Sequence, residues 1–137
     1  MSEQENTTLV QQAYNNFKTG NIQGLLRLLS DDVEWQLPEI ENVPFAGKRT
    51  GRSAVGEFFA SVAETQEVLL FEPGEFVAQG DKVVSLGRYR WRVKATGREH
   101  GSDFAHVFTI RNGQVVGFQE YTDTAAAAKA FQKAMRA

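Results

Sequence analysis

The sequence predicts an α+β fold in which N-terminal helices precede a curved antiparallel sheet. In the first half of the chain, apolar residues recur every three or four positions, as on the buried side of amphipathic helices. From Glu67 onward they alternate with a period of two, as in half-buried strands. Three hairpin-turn signals separate the alternating segments: Gly80-Asp81, Thr96-Gly97 and Asn112-Gly113. Helices followed by such strands make an α+β domain.

Composition and charge exclude several classes of partner and of chemical site. The chain has 137 residues, with 15 Lys and Arg against 17 Asp and Glu and a net charge of −2. We therefore expect one domain, residues 1–137, with neither nucleic acid nor an anionic membrane as partner. The absence of Cys excludes disulfides and cysteine-based sites, and two His are too few for a multi-histidine metal centre.

The N-terminus is polar and lacks the apolar region of a signal peptide. No apolar stretch approaches the ~20 residues of a membrane span. We expect a soluble, cytoplasmic protein that uses no metal or cofactor.

The first half of the chain predicts two helices before the first strand. The first helix carries an apolar stripe made of Leu9, Val10, Ala13, Tyr14 and Phe17. Gly20 suits the end of this helix, and Asn21 can cap the next one. The apolar residues of that short second helix are Ile22, Leu25, Leu26, Leu28 and Leu29.

A strand, a loop and a third helix follow. The strand alternates apolar Val33, Trp35 and Leu37 with polar residues and ends at Pro38. The loop segment 47–53 lacks the spacing of a phosphate-binding loop, and we interpret it as a structural turn. Ser53 is the expected N-cap of the third helix, whose apolar residues are Val55, Phe58, Phe59 and Val62.

The second half predicts a meander of four strands at about 67–79, 82–95, 98–110 and 114–122. Pro73-Gly74 interrupts the first of these and indicates a bulge that bends the sheet. Residues 125–137 predict a last helix outside the sheet or over its open end. Asp123 is its expected N-cap, and Phe131 and Met135 share one face.

The length of the turn at Thr96-Gly97 decides which side chains of its two strands share a face. A two-residue turn at Thr96-Gly97 places Tyr89 opposite Phe104 and Gly87 opposite His106. The face covered by the helices is then aromatic, and its members are Tyr89, Trp91, Val93, Phe104, His106 and Phe108.

The opposite, outer face of the same hairpin carries a stripe of Arg88, Arg90 and Arg92. In this register Arg90 lies opposite Asp103 as a cross-strand ion pair. Ala105 and Val107 also point outward, and such residues are unfavourable at the solvated centre of a sheet. We therefore expect a homodimer through the outer face.

The turn at 111–113 decides where the carboxylate of the last strand points. We prefer a three-residue loop, which places His106 opposite Phe118. Glu120 then faces inward as a diagonal neighbour of His106, within side-chain reach. A two-residue turn would place Gln119 and Tyr121 on the inner face instead.

Several motifs occur in order along nearly the whole chain. They are Asp31-Asp32-Val33-Glu34-Trp35, Phe45-Ala46-Gly47 to Gly51, Gly80-Asp81-Lys82-Val83-Val84, and His106-Val107-Phe108 through Asn112-Gly113 to Glu120-Tyr121-Thr122-Asp123. In this order they make the chain similar to the SnoaL-like group of the nuclear transport factor 2-like superfamily. The resemblance implies a cone: a curved sheet around the helices, an apolar pocket at the open end, and a dimer through the outer face.

The resemblance also implies site residues. Polyketide cyclases of the SnoaL type carry a His and an acidic residue, typically Asp, on adjacent strands that line the pocket, and His106 and Glu120 match these positions. In ketosteroid isomerases the position of His106 holds an Asp that donates to the oxyanion, and the position of Leu37 holds the catalytic base. Leu37 therefore argues against steroid isomerisation through that base. The Asp-Arg-Asp arrangement of epoxide hydrolases is not visible on the predicted inner face.

We therefore expect an enzyme that applies acid/base chemistry to an apolar, ring-bearing carbonyl compound, as an isomerase, cyclase or hydrolase. His106 and Glu120 are the candidate catalytic residues, and Tyr14 and Tyr89 are candidate donors to a developing oxyanion. The candidate substrate-binding residues are Tyr14, Phe17, Trp35, Leu37, Tyr89, Trp91, Phe104, Phe108 and Phe118.

Two other function classes remain open from the sequence. A non-catalytic binding module would use the same pocket, with His106 and Glu120 as a buried polar pair. A protein-interaction domain would use the outer face of the sheet and need no internal cavity.

Overall fold

The structure, a computed structural model, describes residues 2–133. These residues contain four helices: Glu3–Lys18 (α1), Ile22–Arg27 (α2), Arg52–Thr65 (α3) and Thr124–Phe131 (α4). Their six strands are Leu29–Gln36 (β1), Lys48–Thr50 (β2), Gln66–Gln79 (β3), Lys82–Val93 (β4), Glu99–Arg111 (β5) and Gln114–Thr122 (β6). One curved sheet holds all six in the order β2-β1-β6-β5-β4-β3. The predicted α+β fold class is confirmed.

The predicted meander is confirmed, because β3, β4, β5 and β6 are consecutive antiparallel neighbours. A register shift between Pro73 and Glu75 confirms the bulge in β3. β1 joins the meander in parallel with β6, so the sheet is antiparallel except at this pair. β2, in a segment predicted as loop, pairs with β1 at the edge of the sheet.

Two of the three predicted N-cap residues begin their helices. The side chains of Asn21 and Asp123 cap α2 and α4, as predicted. The prediction of Ser53 as the N-cap of α3 is wrong, because this helix begins directly after Gly51. Gly51 has a φ of 91°, a conformation that glycine adopts without steric cost where β2 turns into the helix.

Two helix ends also differ from the prediction. α2 ends at Arg27, and Leu29 already belongs to β1 rather than to the helix. The last helix ends at Phe131, and Met135 lies outside the described residues.

The hairpin between β4 and β5 keeps the predicted faces but has a different register. Its loop has four residues, 94–97, because the N–H of Val93 bonds to the carbonyl of Arg98. Lengthening a turn by two residues shifts the pairing by two and leaves the alternation unchanged. Gly87 therefore lies opposite Phe104, and Ser85 lies opposite His106.

The turn between β5 and β6 is a two-residue turn rather than the preferred three-residue loop. Asn112 and Gly113 both have positive φ, 52° and 74°, as a tight hairpin turn requires. A register shift at Thr109 then leaves Val116 as an extra, unpaired residue in β6. This bulge restores the alternation, so that Glu120 faces inward as predicted.

The core lies between the concave face of the sheet and the helices. α1 contributes the predicted stripe, of which Leu9, Val10, Ala13 and Tyr14 are buried. The fully buried valines are Val10, Val33, Val55, Val83, Val93 and Val115. Within residues 2–133, no helix combines the length and apolar character needed to cross a membrane.

Candidate functional site

A cavity of about 110 Å³ lies between the concave face of the sheet and the helices. Its wall includes most of the predicted substrate-binding residues, namely Tyr14, Phe17, Trp35, Leu37, Tyr89, Trp91, Phe108 and Phe118. His106 and Glu120 also line it. The volume is of the same order as the ~150 Å³ of an engineered cavity that holds benzene, so it suits a small ring compound.

Further residues of the cavity wall come from segments in which the sequence predicted no substrate-binding residue. The loop after β1, α3 and α4 together contribute Ile40, Val43, Phe45, Phe58, Phe59, Val62 and Ala127. The sequence pattern predicted these helices but not their position against the cavity, because that position depends on how they cross the sheet.

Phe104 is the exception among the predicted wall residues, because it does not line the cavity. Its ring stacks on His106, with centroids 3.9 Å apart and planes 17° apart. Gly87 lies opposite Phe104, and a Cβ at that glycine would come within 2.6 Å of the Phe104 ring. Phe104 therefore supports the imidazole from behind instead of contacting a ligand.

His106 and Glu120 lie directly opposite each other on β5 and β6, rather than diagonally as predicted. The Nε2 atom of His106 is 2.7 Å from Oε2 of Glu120. Their side chains are only 6% and 15% exposed, so the hydrogen bond is shielded from water. A carboxylate can only accept, and Nε2 therefore carries the hydrogen.

The second ring nitrogen of His106 is also engaged. Its Nδ1 atom is 2.7 Å from the hydroxyl of Tyr14 on α1. Burial raises the pKa of Tyr14, and the carboxylate of Glu120 adds to the rise, so the phenol keeps its proton. The hydroxyl of Tyr14 thus bonds to Nδ1 of His106, and Nε2 of His106 donates to Glu120. We call these three residues the Tyr14–His106–Glu120 triad.

Tyr89 forms a separate pair on the same wall. Its hydroxyl is 2.5 Å from the hydroxyl of Thr122, which lies two residues after Glu120. Burial raises the pKa of Tyr89 to about 12, and this phenol is also protonated at neutral pH. Both tyrosine hydroxyls therefore already have partners within the protein.

A second histidine, which the sequence pattern did not single out, also lies on the cavity wall. His100 is 8% exposed, and its Nε2 atom donates to Oε1 of Gln66 over 3.2 Å. Burial lowers the pKa of this imidazole, so it is neutral. His100 is six positions before His106 on the same strand, and strand alternation alone could have placed it inward. No sequence pattern indicated that Gln66 lies on the cavity wall.

The outer face does not contribute to this site. The predicted ion pair between Arg90 and Asp103 is wrong, because the observed register places Arg88 opposite Asp103. Arg90 forms its ion pair with Glu99 instead, at 2.8 Å. The other two arginines of the stripe bond to carboxylates of β3, at distances of 2.9 Å for Arg88–Glu72 and 2.6 Å for Arg92–Glu67. Within residues 2–133, no three His, Cys, Asp or Glu side chains are placed to hold a metal ion together.

Comparison with known proteins adds to this geometry. Residues 10–118 match the family model of the SnoaL-like domain. No curated protein matches the chain. Among solved structures, it is similar to a nuclear transport factor 2-like protein from Burkholderia xenovorans LB400, with 36% sequence identity and a TM-score of 0.88. That match covers 96% of this chain and 99% of the other.

Two further structures are similar. TerC, co-crystallised with polyporic acid, has 28% identity and a TM-score of 0.80, over 93% of this chain and 98% of the other. A candidate polyketide cyclase from Xanthomonas campestris pv. campestris has 20% identity and a TM-score of 0.79, over 95% and 98% of the two chains. At that identity the likeness shows the fold alone.

Proposed function

The chain belongs to the SnoaL-like domain family and is a small-molecule pocket protein, and from this premise we propose that it is a cofactor-free enzyme of the isomerase, cyclase or hydrolase type. Its substrate is an apolar, ring-bearing carbonyl compound. Glu120 moves a proton at the carbon next to the carbonyl, and His106 and Tyr14 hold Glu120 in place.

The observation that carries this proposal is that both ring nitrogens of His106 are engaged within the Tyr14–His106–Glu120 triad. Both nitrogens of His106 have protein partners, so the imidazole cannot take a proton from a ligand without losing one of them. Glu120 uses only Oε2 in the hydrogen bonds of the described residues, and it lines the cavity. Its second oxygen is the basic atom that faces a ligand.

The proposed step is a proton transfer from the substrate to Glu120. The carbon–hydrogen bond next to the carbonyl breaks, an oxygen–hydrogen bond forms on Glu120, and the electron pair moves to the carbonyl oxygen as an enolate. When the proton on Glu120 is replaced by one from solvent and that proton is delivered to the same carbon, the result is exchange; delivery of a proton to another carbon gives isomerisation. The hydrogen bond from His106 orients the carboxylate throughout.

The wall of the cavity supports an apolar ring as the ligand. Trp35 and Phe118 stack with centroids 4.0 Å apart, and Phe108 meets Phe118 edge-on at 5.1 Å. Flat aromatic surfaces of this kind bind a ring by apolar burial and by stacking. That TerC, at 28% identity, was co-crystallised with polyporic acid also supports a small-molecule ligand for this chain.

The proposal is tested by proton exchange. Indan-2-one is a compact ring ketone with protons next to its carbonyl, and their replacement by deuterium in D₂O is followed by NMR. We expect the wild-type protein to accelerate this exchange and Glu120→Gln to abolish the acceleration. Binding of indan-2-one without exchange would instead support the non-catalytic binding module, and the absence of both would reject the pocket as a ketone site.

We also propose that a second copy of the chain covers part of the outer face. Six residues on the outer side of β3 to β6 form a continuous patch, which we call the outer apolar patch: Val77, Val84, Leu86, Ala105, Val107 and Tyr121. Val77, Leu86 and Tyr121 are 53%, 40% and 52% exposed in the single chain. Contiguous exposed apolar surface of this kind is typical of an interface.

A further inference from the structure

His100 and Gln66 line the cavity but take no part in the proposed reaction. Nε2 of His100 is 3.2 Å from Oε1 of Gln66. Gln66 is the residue at which α3 passes into β3: its backbone N–H bonds to the carbonyl of Val62, and it lies opposite Val93 on β4. A helix end and a strand pair thus fix the backbone of this glutamine.

The hydrogen bond to His100 sets the orientation of the Gln66 carboxamide. Nδ1 of His100 is buried and has no hydrogen bond among the described residues. A buried N–H without a partner is rarer in proteins than a buried acceptor without one, so the ring proton of His100 is on Nε2. His100 therefore donates to Oε1 of Gln66, and the NH₂ group of the carboxamide, with two donor hydrogens, points away from the imidazole.

The NH₂ group of Gln66 is open to the cavity. Its Nε2 atom makes no hydrogen bond within residues 2–133. In the same residues, the side-chain atoms that lack both a hydrogen bond and accessible surface are Asn6 Oδ1, Ser30 Oγ, Trp35 Nε1, Arg49 Nε, Ser85 Oγ and His100 Nδ1. Nε2 of Gln66 is not one of them, so it has accessible surface. Because Gln66 is only 5% exposed and lines the cavity, this surface faces the cavity.

This donor lies away from the triad but within the same cavity. A row of rings separates the two histidines: Phe104 is 3.9 Å from His106 and 6.1 Å from Tyr89. Tyr89 in turn is 6.0 Å from His100. Burial lowers the pKa of His100, and the carboxylate of Glu120 opposes this lowering, so the two ends of the cavity are within electrostatic reach of each other.

The charges on the cavity wall restrict what the NH₂ group can bind. Among residues 2–133, no Lys or Arg lines the cavity, and Glu120 is its one carboxylate. A ligand carboxylate would have no cation to pair with, and leaving such a charge unpaired in a buried site is costly. The acceptor that fits the NH₂ group is therefore a neutral oxygen.

We propose that Gln66 is a specificity-determining residue, whose NH₂ group donates to a second oxygen of the ligand on the side of the ring away from the ketone. This role rests on the proposed function. It narrows the substrate to neutral ring ketones that carry a hydroxyl or carbonyl oxygen across the ring from the reacting carbonyl.

Two ligands of nearly equal size test the proposal. 5-Hydroxyindan-2-one carries an oxygen on its six-membered ring, and 5-methylindan-2-one carries a methyl group in its place. Gln66→Leu removes the carboxamide and keeps a side chain of similar size. We expect this variant to raise the ratio of the Kd for the hydroxy ketone to the Kd for the methyl ketone about 10-fold over the wild-type ratio, because the hydroxyl loses its partner. Gln79→Leu, at the exposed end of β3, is the matched change and should keep the wild-type ratio.

A second measurement uses the wild-type protein and does not depend on the folding of a variant. The side-chain NH₂ resonances of Gln66 are assigned by their through-space contacts to the His100 ring and are followed by NMR with each ligand. We expect them to move further downfield with 5-hydroxyindan-2-one than with 5-methylindan-2-one. The NH₂ resonances of Gln79 should respond alike to both.

An unchanged Kd ratio in Gln66→Leu, or equal shifts of the Gln66 resonances with both ligands, would overturn the role of Gln66. If Glu120→Gln still abolishes exchange of 5-methylindan-2-one in that case, the proposed function stands and only the second contact is wrong. If the wild-type protein exchanges neither ketone while the Kd ratio changes about 10-fold, the proposed function fails and Gln66 stands as a residue of a binding site. Binding of neither ketone would overturn both.

Discussion

The inner and outer faces of the sheet are built from alternate residues of the same strands, but they differ in how polar groups are paired. On the inner face, the side chains of the Tyr14–His106–Glu120 triad bond to one another and are shielded from water. On the outer face, Arg88 and Glu72 form an ion pair in which both side chains are about half or more exposed. Such exposed pairs contribute little to stability.

The two faces also differ in their apolar residues. Inner aromatic residues such as Phe108 are covered by the helices, whereas the outer apolar patch is exposed in the single chain. This difference is what the two proposals rest on, a small ligand at the inner face and a second copy of the chain at the outer face.

The largest expected effect compares the carboxylate of Glu120 on the inner face with that of Glu72 on the outer face. Glu120→Gln keeps an acceptor for His106 but removes the base, and we expect the rate of indan-2-one exchange to fall by about 10²- to 10⁴-fold. Glu72→Gln on the outer face is the matched change and should leave the rate unaltered. Equal rates for Glu120→Gln and the wild type, measured by NMR in D₂O, would make the triad a structural feature.

The second comparison concerns two neighbours on β6 that point to opposite faces. Phe118→Ala removes a buried ring that contacts Trp35, His106 and Phe108, and should lower the free energy of unfolding by about 3–5 kcal/mol. Gln119→Ala, one residue later, should change it by about 0.5 kcal/mol or less. Urea denaturation followed by tryptophan fluorescence measures both, and similar losses would contradict the assignment of faces.

The third comparison concerns the outer apolar patch. Leu86→Arg places a charge inside the proposed dimer interface, where it has no partner, and should convert a dimer of twice 15.3 kDa into a monomer of 15.3 kDa. Val68→Arg is the control, because Val68 is also exposed but lies outside the patch. Light scattering at micromolar concentration gives the masses. A wild-type mass of 15.3 kDa would reject the dimer.

The faces of the sheet could be predicted from the sequence, whereas the pairing of individual residues could not. Alternation has a period of two, so an error of two residues in the turn at 94–97 left Tyr89 and His106 on the inner face. The same error changed the partner of Arg90 from Asp103 to Glu99. Turn length depends on backbone hydrogen bonds that the amino-acid pattern does not specify.

The orientation of Glu120 was predicted correctly through two compensating errors. The turn at Asn112 and Gly113 is one residue shorter than expected, and the bulge at Val116 adds one residue to the strand. The hydrogen bond between Tyr14 and His106 joins residues that are 92 positions apart. It depends on how α1 crosses the sheet, and sequence periodicity carries no information about that angle.

The smallest expected effect compares two tyrosines at high pH. Tyr89 is buried on the inner face, with its pKa raised to about 12 from an ordinary value near 10, whereas Tyr121 is 52% exposed on the outer face. Above pH 10 the unfolded chain releases the Tyr89 proton and the folded chain retains it, so the folded state binds more protons. Stability must then fall as pH rises, by up to about 1.4 kcal/mol per pH unit between pH 10 and 12.

Tyr14, whose pKa is also raised, adds a fall of the same sign, so replacing one phenol should make the decline shallower without abolishing it. We therefore expect Tyr89→Phe to reduce the slope of the unfolding free energy against pH above 10. Tyr121→Phe is the control that keeps both buried phenols and should retain the wild-type slope. Urea denaturation at pH 8, 10 and 11 gives the three slopes. An unchanged slope in Tyr89→Phe would mean that this phenol ionises equally in the folded and unfolded chains, contrary to its burial on the inner face.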